Sequence, residues 1–204
     1  IAAAVEAMTA RLAANDSARI IYAGAGTSIR VAVQDGVELR PTFDWPAGRV
    51  AYLVAGGDGA LMKAVENAED DVEAATLGVE KLDVTSGDTL IALSASGGTP
   101  YTCAAVDAAA RTGALTVGIA NNYGSPLLVK AEIAIPILTG AEAVAGSTRL
   151  KAATAQKICL NMISTLVMTR LGYVRDGQMI AMKPSNAKLR ARYDRIHGDG
   201  EDAN

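Results

Sequence analysis

The sequence predicts a three-layer α/β/α domain built around a mainly parallel sheet of five strands. Strand-like apolar runs alternate with helical segments along the chain, and this alternation places helices on both faces of a parallel sheet. Length and composition agree, because 204 residues of which 50% are hydrophobic suit one domain with a large core. Hydroxyl-rich loops also follow two of the apolar runs directly, as they do in strand–loop–helix units.

The elements follow in order from the apolar runs and their boundaries. Residues 20–23 and 89–93 are clear strand-like runs, and Pro100 sits where a first helical turn tolerates a missing N–H. The full prediction is a helix over 1–15, a strand at 19–23, a helix at 28–37, a strand at 50–55, a helix at 58–76, a strand at 88–94, a helix at 100–112, a strand at 115–120, a short helix near 125–131, a strand at 132–138 and a long helix over 149–171.

Two of these helices carry further information. The helix over 58–76 has an acidic face, whose i, i+3, i+4, i+7 spacing ordinarily indicates a solvated surface, and a separate apolar face. The acidic face consists of Glu66, Glu69, Asp70 and Glu73, and the apolar face consists of Leu61, Val65, Ala68 and Val72. The long helix over 149–171 is apolar around most of its girth. We expect it to be buried on more than one side, either at a subunit interface or within one domain.

Three loops have the composition of a phosphate-binding site. They span 24–28, 94–100 and 146–157, and in a parallel sheet they fall at the carboxyl edge, where ligands bind. Glycine permits close approach, short hydroxyls and N–H groups at a helix start bind phosphate oxygens, and cations add charge. A simple helix cap is the alternative for the third loop. The candidate ligands are Gly26, Thr27, Ser28, Ser94, Ser96, Gly97, Thr99, Ser147, Thr148 and Lys151.

Several classes of function are not supported. Ile29 replaces the third glycine of a dinucleotide fingerprint, and no Walker lysine follows either strand-end loop. A net charge of −3 does not provide the basic surface that binds nucleic acid, and no apolar run is long enough for a membrane span.

Cys103 and Cys159 lie in apolar helical surroundings without metal-ligand spacing, which fits buried thiols in a reduced cytoplasm. His197 lies in a polar tail, and no signal peptide is recognisable.

Six motifs together resemble the N-acetylmuramic acid 6-phosphate etherases, which have the sugar isomerase (SIS) form of the flavodoxin-like fold. They occur in the family's order, at 24–28, 38–43, 68–71, 95–101, 146–157 and 160–165. The resemblance implies a SIS domain over 1–175, with an N-terminal helix over 1–18, followed by an extension over 176–204. It also implies cleavage of the D-lactyl ether of a phosphorylated amino sugar by a homodimer that uses neither metal nor cofactor.

The resemblance assigns the catalytic carboxylates to Glu38 and Glu69. In the open-chain sugar the aldehyde acidifies the C2 proton, so one carboxylate removes it while a second carboxyl group protonates the departing lactate oxygen and later activates water. We assign Glu38 as the acid and Glu69 as the base. Gly98 departs from the family, which has arginine there. An aldose–ketose phosphosugar isomerase and a non-catalytic sugar-phosphate sensor are the alternatives.

Overall fold

The computed structural model describes residues 1–183, 189–191 and 193, and its core is a five-stranded parallel sheet. The strand order is β2-β1-β3-β4-β5, and the strands are β1 (Ile20–Gly24), β2 (Val50–Val54), β3 (Thr89–Ser94), β4 (Leu115–Ala120) and β5 (Ile133–Pro136). The helices are α1 (Ala2–Ala14), α2 (Gly26–Phe43), α3 (Val72–Lys81), α4 (Pro100–Arg111), α5 (Pro126–Lys130) and α6 (Lys151–Arg170). The predicted α/β class and parallel sheet are confirmed.

Helices cover both faces of the sheet. Successive strand residues point to opposite sides, so the apolar strands supply side chains to a core on each face. Ile91 and Leu93 pack with α1, α2 and α6, whereas Leu90 and Ala92 pack with α3, α4 and α5. All six residues of β3 are buried. The apolar runs of the central strands therefore fill two cores, one on each side of the sheet.

The long helix α6 is buried on one side only. It packs against α1 and α2, where residues such as Leu160, Ile163 and Val167 are buried. Ile158, Met162 and Leu166 form an exposed stripe along the opposite side, at 54%, 42% and 46% exposure. Packing within the domain therefore buries only some of the apolar residues of α6 and leaves this stripe exposed.

The prediction of one helix over 58–76 is wrong. The chain instead forms two short 3₁₀ turns, Asp58–Leu61 and Ala68–Asp70, before α3 begins. Asn67, inside the predicted range, has a positive φ of 57°, which a continuous helix does not allow. The Asp71 carboxylate then caps α3 by accepting the Ala74 N–H at 2.8 Å. The acidic residues therefore do not share a helical face.

Helix α2 ends six residues later than predicted. It continues past Glu38 and contains Pro41, because Leu39 and Phe43 on its inner side pack into the core. Asp44 then adopts a left-handed conformation with φ of 53°, and its N–H bonds to the Arg40 carbonyl. The region around Glu38 is thus regular helix, with the Glu38 side chain exposed.

Both cysteines are buried, as predicted, and burial raises the pKa of Cys159 to about 11.

Within the described part of the chain, no helix has the length and apolar character needed to span a membrane. After α6 the chain forms a small antiparallel hairpin of β6 (Val174–Arg175) and β7 (Gln178–Met179). The predicted polar tail with His197 lies outside the described residues.

The amino edge of the sheet is held by a buried ion pair between Arg19 and Asp88. Their charged atoms are 2.7 Å apart, and the Asp88 side chain is only 1% exposed. Asp88 also accepts the backbone N–H groups of Arg19 and Thr85. Burial alone would raise the pKa of Asp88, but the bonds from Arg19 and Thr85 lower it overall. The carboxylate form therefore stabilises the fold.

We expect Asp88→Asn to lower the free energy of unfolding by about 3 kcal/mol at pH 7, because it leaves the Arg19 charge without its partner. The native pKa of Asp88 is lowered, so this stabilisation is present above the unfolded pKa of about 4 and disappears as the pH falls through the native value. Urea unfolding at several pH values measures it. Asp107→Asn, in the exposed pair with Lys130, is the control and should cost less than about 1 kcal/mol. Equal losses in both variants would contradict this account.

Candidate active site

The first two hydroxyl-rich loops meet at the carboxyl edge of the sheet. They follow β1 and β3, which are neighbours, with Gly24 paired to Leu93. A side chain at Gly24 would come within 2.9 Å of the Leu93 carbonyl oxygen, so glycine allows the loops to approach. The predicted convergence of these two loops is therefore seen in the structure.

The loop after β3, residues 94–100, gathers three hydroxyl groups. The Ser94 hydroxyl is 2.9 Å from that of Thr99 and 3.3 Å from that of Ser96, and it accepts the Gly97 N–H at 3.0 Å. Gly97 has φ of 71°, and a Cβ there would lie 2.1 Å from the Ser125 hydroxyl oxygen. The loop thus depends on glycine at this position. Ser94, predicted as a ligand, is buried with 3% exposure, whereas the accessible residues Ser96 and Thr99 present hydroxyls that suit an anion.

The loop after β1 forms one wall of a cavity of about 300 Å³. Gly26 and Thr27 line it from the start of α2, and Glu69 lines it from the second 3₁₀ turn. Ser28, predicted as a ligand, is instead buried with 8% exposure and is not among the lining residues. The other described residues that line the cavity are Ala25, Arg30, Ala55, Ala60, Ala64, Val65, Glu66, Asn67 and Ala68.

The third predicted segment is arranged differently from the prediction. Ser147 and Thr148 lie in the turns before α6, but the first N–H groups of α6 are not free to bind an anion. The Glu142 carboxylate accepts the N–H groups of Lys151 and Ala152, each at 2.9 Å, and these bonds lower the pKa of Glu142. The helix start is therefore already occupied by a carboxylate of the protein itself.

The third segment nevertheless lies beside the loop after β3. Gln156, on the second turn of α6, donates to the Asn121 side chain at 3.0 Å, and the Asn121 N–H bonds to the Ala95 carbonyl at 3.1 Å. Sequence reasoning missed Glu142 and Asn121. Glu142 lies nine residues before Lys151, so no local capping pattern identifies it.

The two predicted catalytic carboxylates are separated within one chain. Glu69 is exposed and lines the cavity, whereas Glu38 lies twelve residues along α2 from Gly26, or about 18 Å at the rise of an α-helix. The preceding turn is fixed by buried Asp35, which accepts hydrogen bonds from Tyr22 at 2.8 Å and Asn161 at 2.7 Å. Glu38 therefore does not reach the cavity of its own chain.

A parallel α/β sheet with glycine- and hydroxyl-rich loops at its carboxyl edge defines a class of proteins suited to bind an anionic ligand there. More particularly, the chain belongs to the SIS domain family. The pattern described as the SIS domain matches residues 60–166, and that of the glucokinase regulatory protein N-terminal SIS domain matches residues 1–110.

The similar proteins confirm the resemblance to the etherases. The N-acetylmuramic acid 6-phosphate etherase of Deinococcus radiodurans is 48% identical over 91% of this chain and 61% of its own length. That of Streptomyces coelicolor is 48% identical over 96% and 62%, so the chain spans about three fifths of these relatives. The Vibrio vulnificus NanR protein complexed with ManNAc-6P shares the fold, with a TM-score of 0.57 and 16% identity over 96% of this chain and 60% of that one.

We expect Gly97→Ala to distort the hydroxyl loop, because alanine is strained at positive φ and its Cβ would clash with Ser125. Unfolding free energy should fall by about 1–3 kcal/mol or more. The sequence predicts that this loop binds a sugar phosphate, so affinity for N-acetylglucosamine 6-phosphate should fall about tenfold or more through lost hydroxyl contacts. Calorimetric titration and thermal unfolding measure both. Gly98→Ala is the matched control, since its Cβ would meet only the Ser96 hydroxyl at 3.8 Å. Unchanged affinity in Gly97→Ala would show that the loop does not bind the sugar phosphate.

Proposed function

We propose that this chain carries the etherase activity of its relatives, cleaving the D-lactyl ether of N-acetylmuramic acid 6-phosphate to give N-acetylglucosamine 6-phosphate and D-lactate. The observation that carries the proposal is the placement of Glu69 in a cavity that begins at the glycine- and hydroxyl-rich loop after β1. The 48% identity to proteins named for this activity supports it. The reaction would serve the recycling of cell-wall sugars.

The phosphate group would bind to the loop after β3. The buried Ser94 hydroxyl holds those of Ser96 and Thr99 in place, so these two accessible groups need little ordering when a phosphate arrives. Thr27 contributes from the neighbouring loop, and Lys151 contributes charge from the start of α6. The sugar would then extend from this loop into the cavity that contains Glu69.

Glu69 would act on the sugar at C2. Its carboxylate takes the C2 proton that the C1 aldehyde acidifies, and the electron pair left at C2 forms a double bond to C3 as the C3–oxygen bond breaks. Lactate leaves with a proton supplied by a carboxyl group. Water then adds at C3 and a proton returns to C2, which gives the product sugar with all atoms balanced.

Glu38 would reach this site from a second copy of the chain. Its separation from the cavity of its own chain supports this assignment, as does the exposed stripe of Ile158, Met162 and Leu166 on the neighbouring helix α6. Contact between two copies would remove this apolar surface from water. The proposal thus joins the predicted homodimer to the two-carboxylate mechanism.

The alternatives are less well supported. A phosphosugar isomerase or a sugar-phosphate sensor would use the same loops, but the relatives at 48% identity are named etherases. The cytoplasmic location remains a prediction, and so do the domain boundaries near residue 175.

The proposed activity is tested by incubating the protein with N-acetylmuramic acid 6-phosphate and measuring D-lactate with a lactate dehydrogenase that is specific for the D isomer. We expect D-lactate and N-acetylglucosamine 6-phosphate in equal amounts. Unphosphorylated N-acetylmuramic acid is the control and should react far more slowly, because it lacks the group that the loop after β3 would bind. Absence of D-lactate with the phosphorylated sugar would overturn the proposal.

We expect Glu38→Gln and Glu69→Gln each to lower the rate of lactate release by about 10²–10⁴-fold, as for loss of a general acid or base. In deuterated water, Glu38→Gln should still exchange the C2 hydrogen, because Glu69 remains, whereas Glu69→Gln should not. Mass spectrometry of the recovered sugar measures the exchange. Glu66→Gln, a neighbouring acid on the same cavity, is the control. Parental rates in both variants would exclude Glu38 and Glu69 from catalysis.

Mixing the two inactive variants tests whether Glu38 comes from a second copy. Co-refolded Glu38→Gln and Glu69→Gln chains should recover about a quarter of the parental rate, because half of randomly assembled dimers are mixed and each has one intact site. Each variant refolded alone is the control. No recovery, with mixed dimers present by native mass spectrometry, would place both carboxylates in one chain.

A further inference from the structure

Arg30 is the only cationic side chain among the described residues that line the cavity. It projects from the first turns of α2 and donates three hydrogen bonds to backbone carbonyls of the segment after β2. Its Nε bonds to Leu61 at 3.0 Å, and its Nη2 bonds to Ala60 at 2.8 Å and to Lys63 at 3.3 Å. The guanidinium group is thereby held at the cavity wall in a defined position.

These bonds leave part of the guanidinium group unused. Its Nη1 has no hydrogen-bond partner within the described ranges, and neither Glu66 nor Glu69 forms an ion pair with Arg30 there. Three neutral carbonyls orient the cation but do not neutralise it. A half-buried arginine with two N–H donors that no described protein group uses is suited to bind a carboxylate.

A second arginine, Arg49, has the same tether, meaning three hydrogen bonds from the guanidinium group to backbone carbonyls, but does not line this cavity. Arg49 also donates to three carbonyls, those of Ala18, Leu12 and Asn15, at 2.8–3.0 Å. It lies at the amino edge of the sheet, where its guanidinium group covers the Trp45 ring. Arg30 differs because its charge borders a cavity that also contains Glu69. The tether is thus a structural role common to both residues, and the cavity is particular to Arg30.

We propose that Arg30 binds the carboxylate of the lactyl group and so selects sugars that carry a lactyl ether. This inference rests on the proposed function, since it takes the substrate class from there. Glu66 and Glu69 would repel a second anion from the cavity, and Arg30 offsets that repulsion at one point. The lactyl carboxylate is fixed on the side of the cavity where the cation lies, which orients the C2–H bond relative to Glu69.

The test measures binding with ligands that cannot be cleaved. Reduction of C1 to an alcohol removes the aldehyde that acidifies the C2 proton, so the reduced form of N-acetylmuramic acid 6-phosphate stays intact. Its counterpart carries a 3-O-ethyl group and lacks only the carboxylate. Both ligands are titrated calorimetrically into the parent, Arg30→Gln and Arg49→Gln, which gives for each protein the ratio of its affinities for the carboxylate and the ethyl ligand. Arg49→Gln is the control, because it also removes an arginine that donates to three backbone carbonyls.

We expect the parent to bind the carboxylate ligand about 10- to 100-fold more tightly than the ethyl ligand, the range for a hydrogen bond between charged groups. Arg30→Gln should reduce this ratio to about threefold or less, mainly by weakening the carboxylate ligand, whereas Arg49→Gln should keep the parental ratio. Equal weakening of both ligands by Arg30→Gln would show that Arg30 is only a tether. A parent without preference would also overturn the proposal.

Two further measurements keep the outcome decisive. If Arg30→Gln does not fold, Arg30→Lys replaces it. Because lysine retains the positive charge, Arg30→Lys should still prefer the carboxylate ligand, but less strongly than the parent does. Equal loss of affinity for both ligands would overturn the proposal. Release of D-lactate by the parent is measured separately. A parent that prefers the carboxylate ligand but releases no D-lactate would disprove the etherase activity and leave carboxylate binding by Arg30 standing.

Discussion

The parallel pairing of β1 with β2 and β3 is the constraint on which the candidate site depends. It places the ends of three strands at one edge, with Gly24 opposite both Val54 and Leu93. The backbone of β1 comes so close to β3 that a side chain at Gly24 would meet the Leu93 carbonyl oxygen. Because of this approach, the hydroxyl loop after β3 and the loop that lines the cavity after β1 begin at neighbouring strand ends.

The length of α2 imposes a second constraint. A helix of 18 residues extends about 27 Å, whereas β1, with five residues, spans about 16 Å, so the helix carries its late residues away from the carboxyl edge. Buried Asp35 fixes this arrangement by joining α2 to Tyr22 on β1 and Asn161 on α6. A residue such as Glu38 is therefore available to another molecule rather than to its own cavity.

Charge at the carboxyl edge is distributed unevenly. Glu142 is bound to the N–H groups at the start of α6, where the helix dipole favours a negative group. Glu66 and Glu69 border the cavity, and Arg30 is fixed among neutral carbonyls beside them. The cavity thus combines a potential base with a cation that is not committed to it. This arrangement suits a ligand with two separate anionic groups, one at the hydroxyl loop and one near Arg30.

Local sequence patterns were enough to predict the alternation of strands and helices, the parallel sheet, the burial of both cysteines and the glycine- and hydroxyl-rich loops at the strand ends. These properties are local, because apolar periodicity and loop residues act within a few positions of the chain. Tertiary contacts were needed to show that Asn67 breaks the predicted helix over 58–76 and that Glu142 caps α6. They also show that Ser28 is buried and that Glu38 lies far from Glu69. Each of these depends on contacts between distant segments, or on how far a helix extends, and local patterns do not encode such distances.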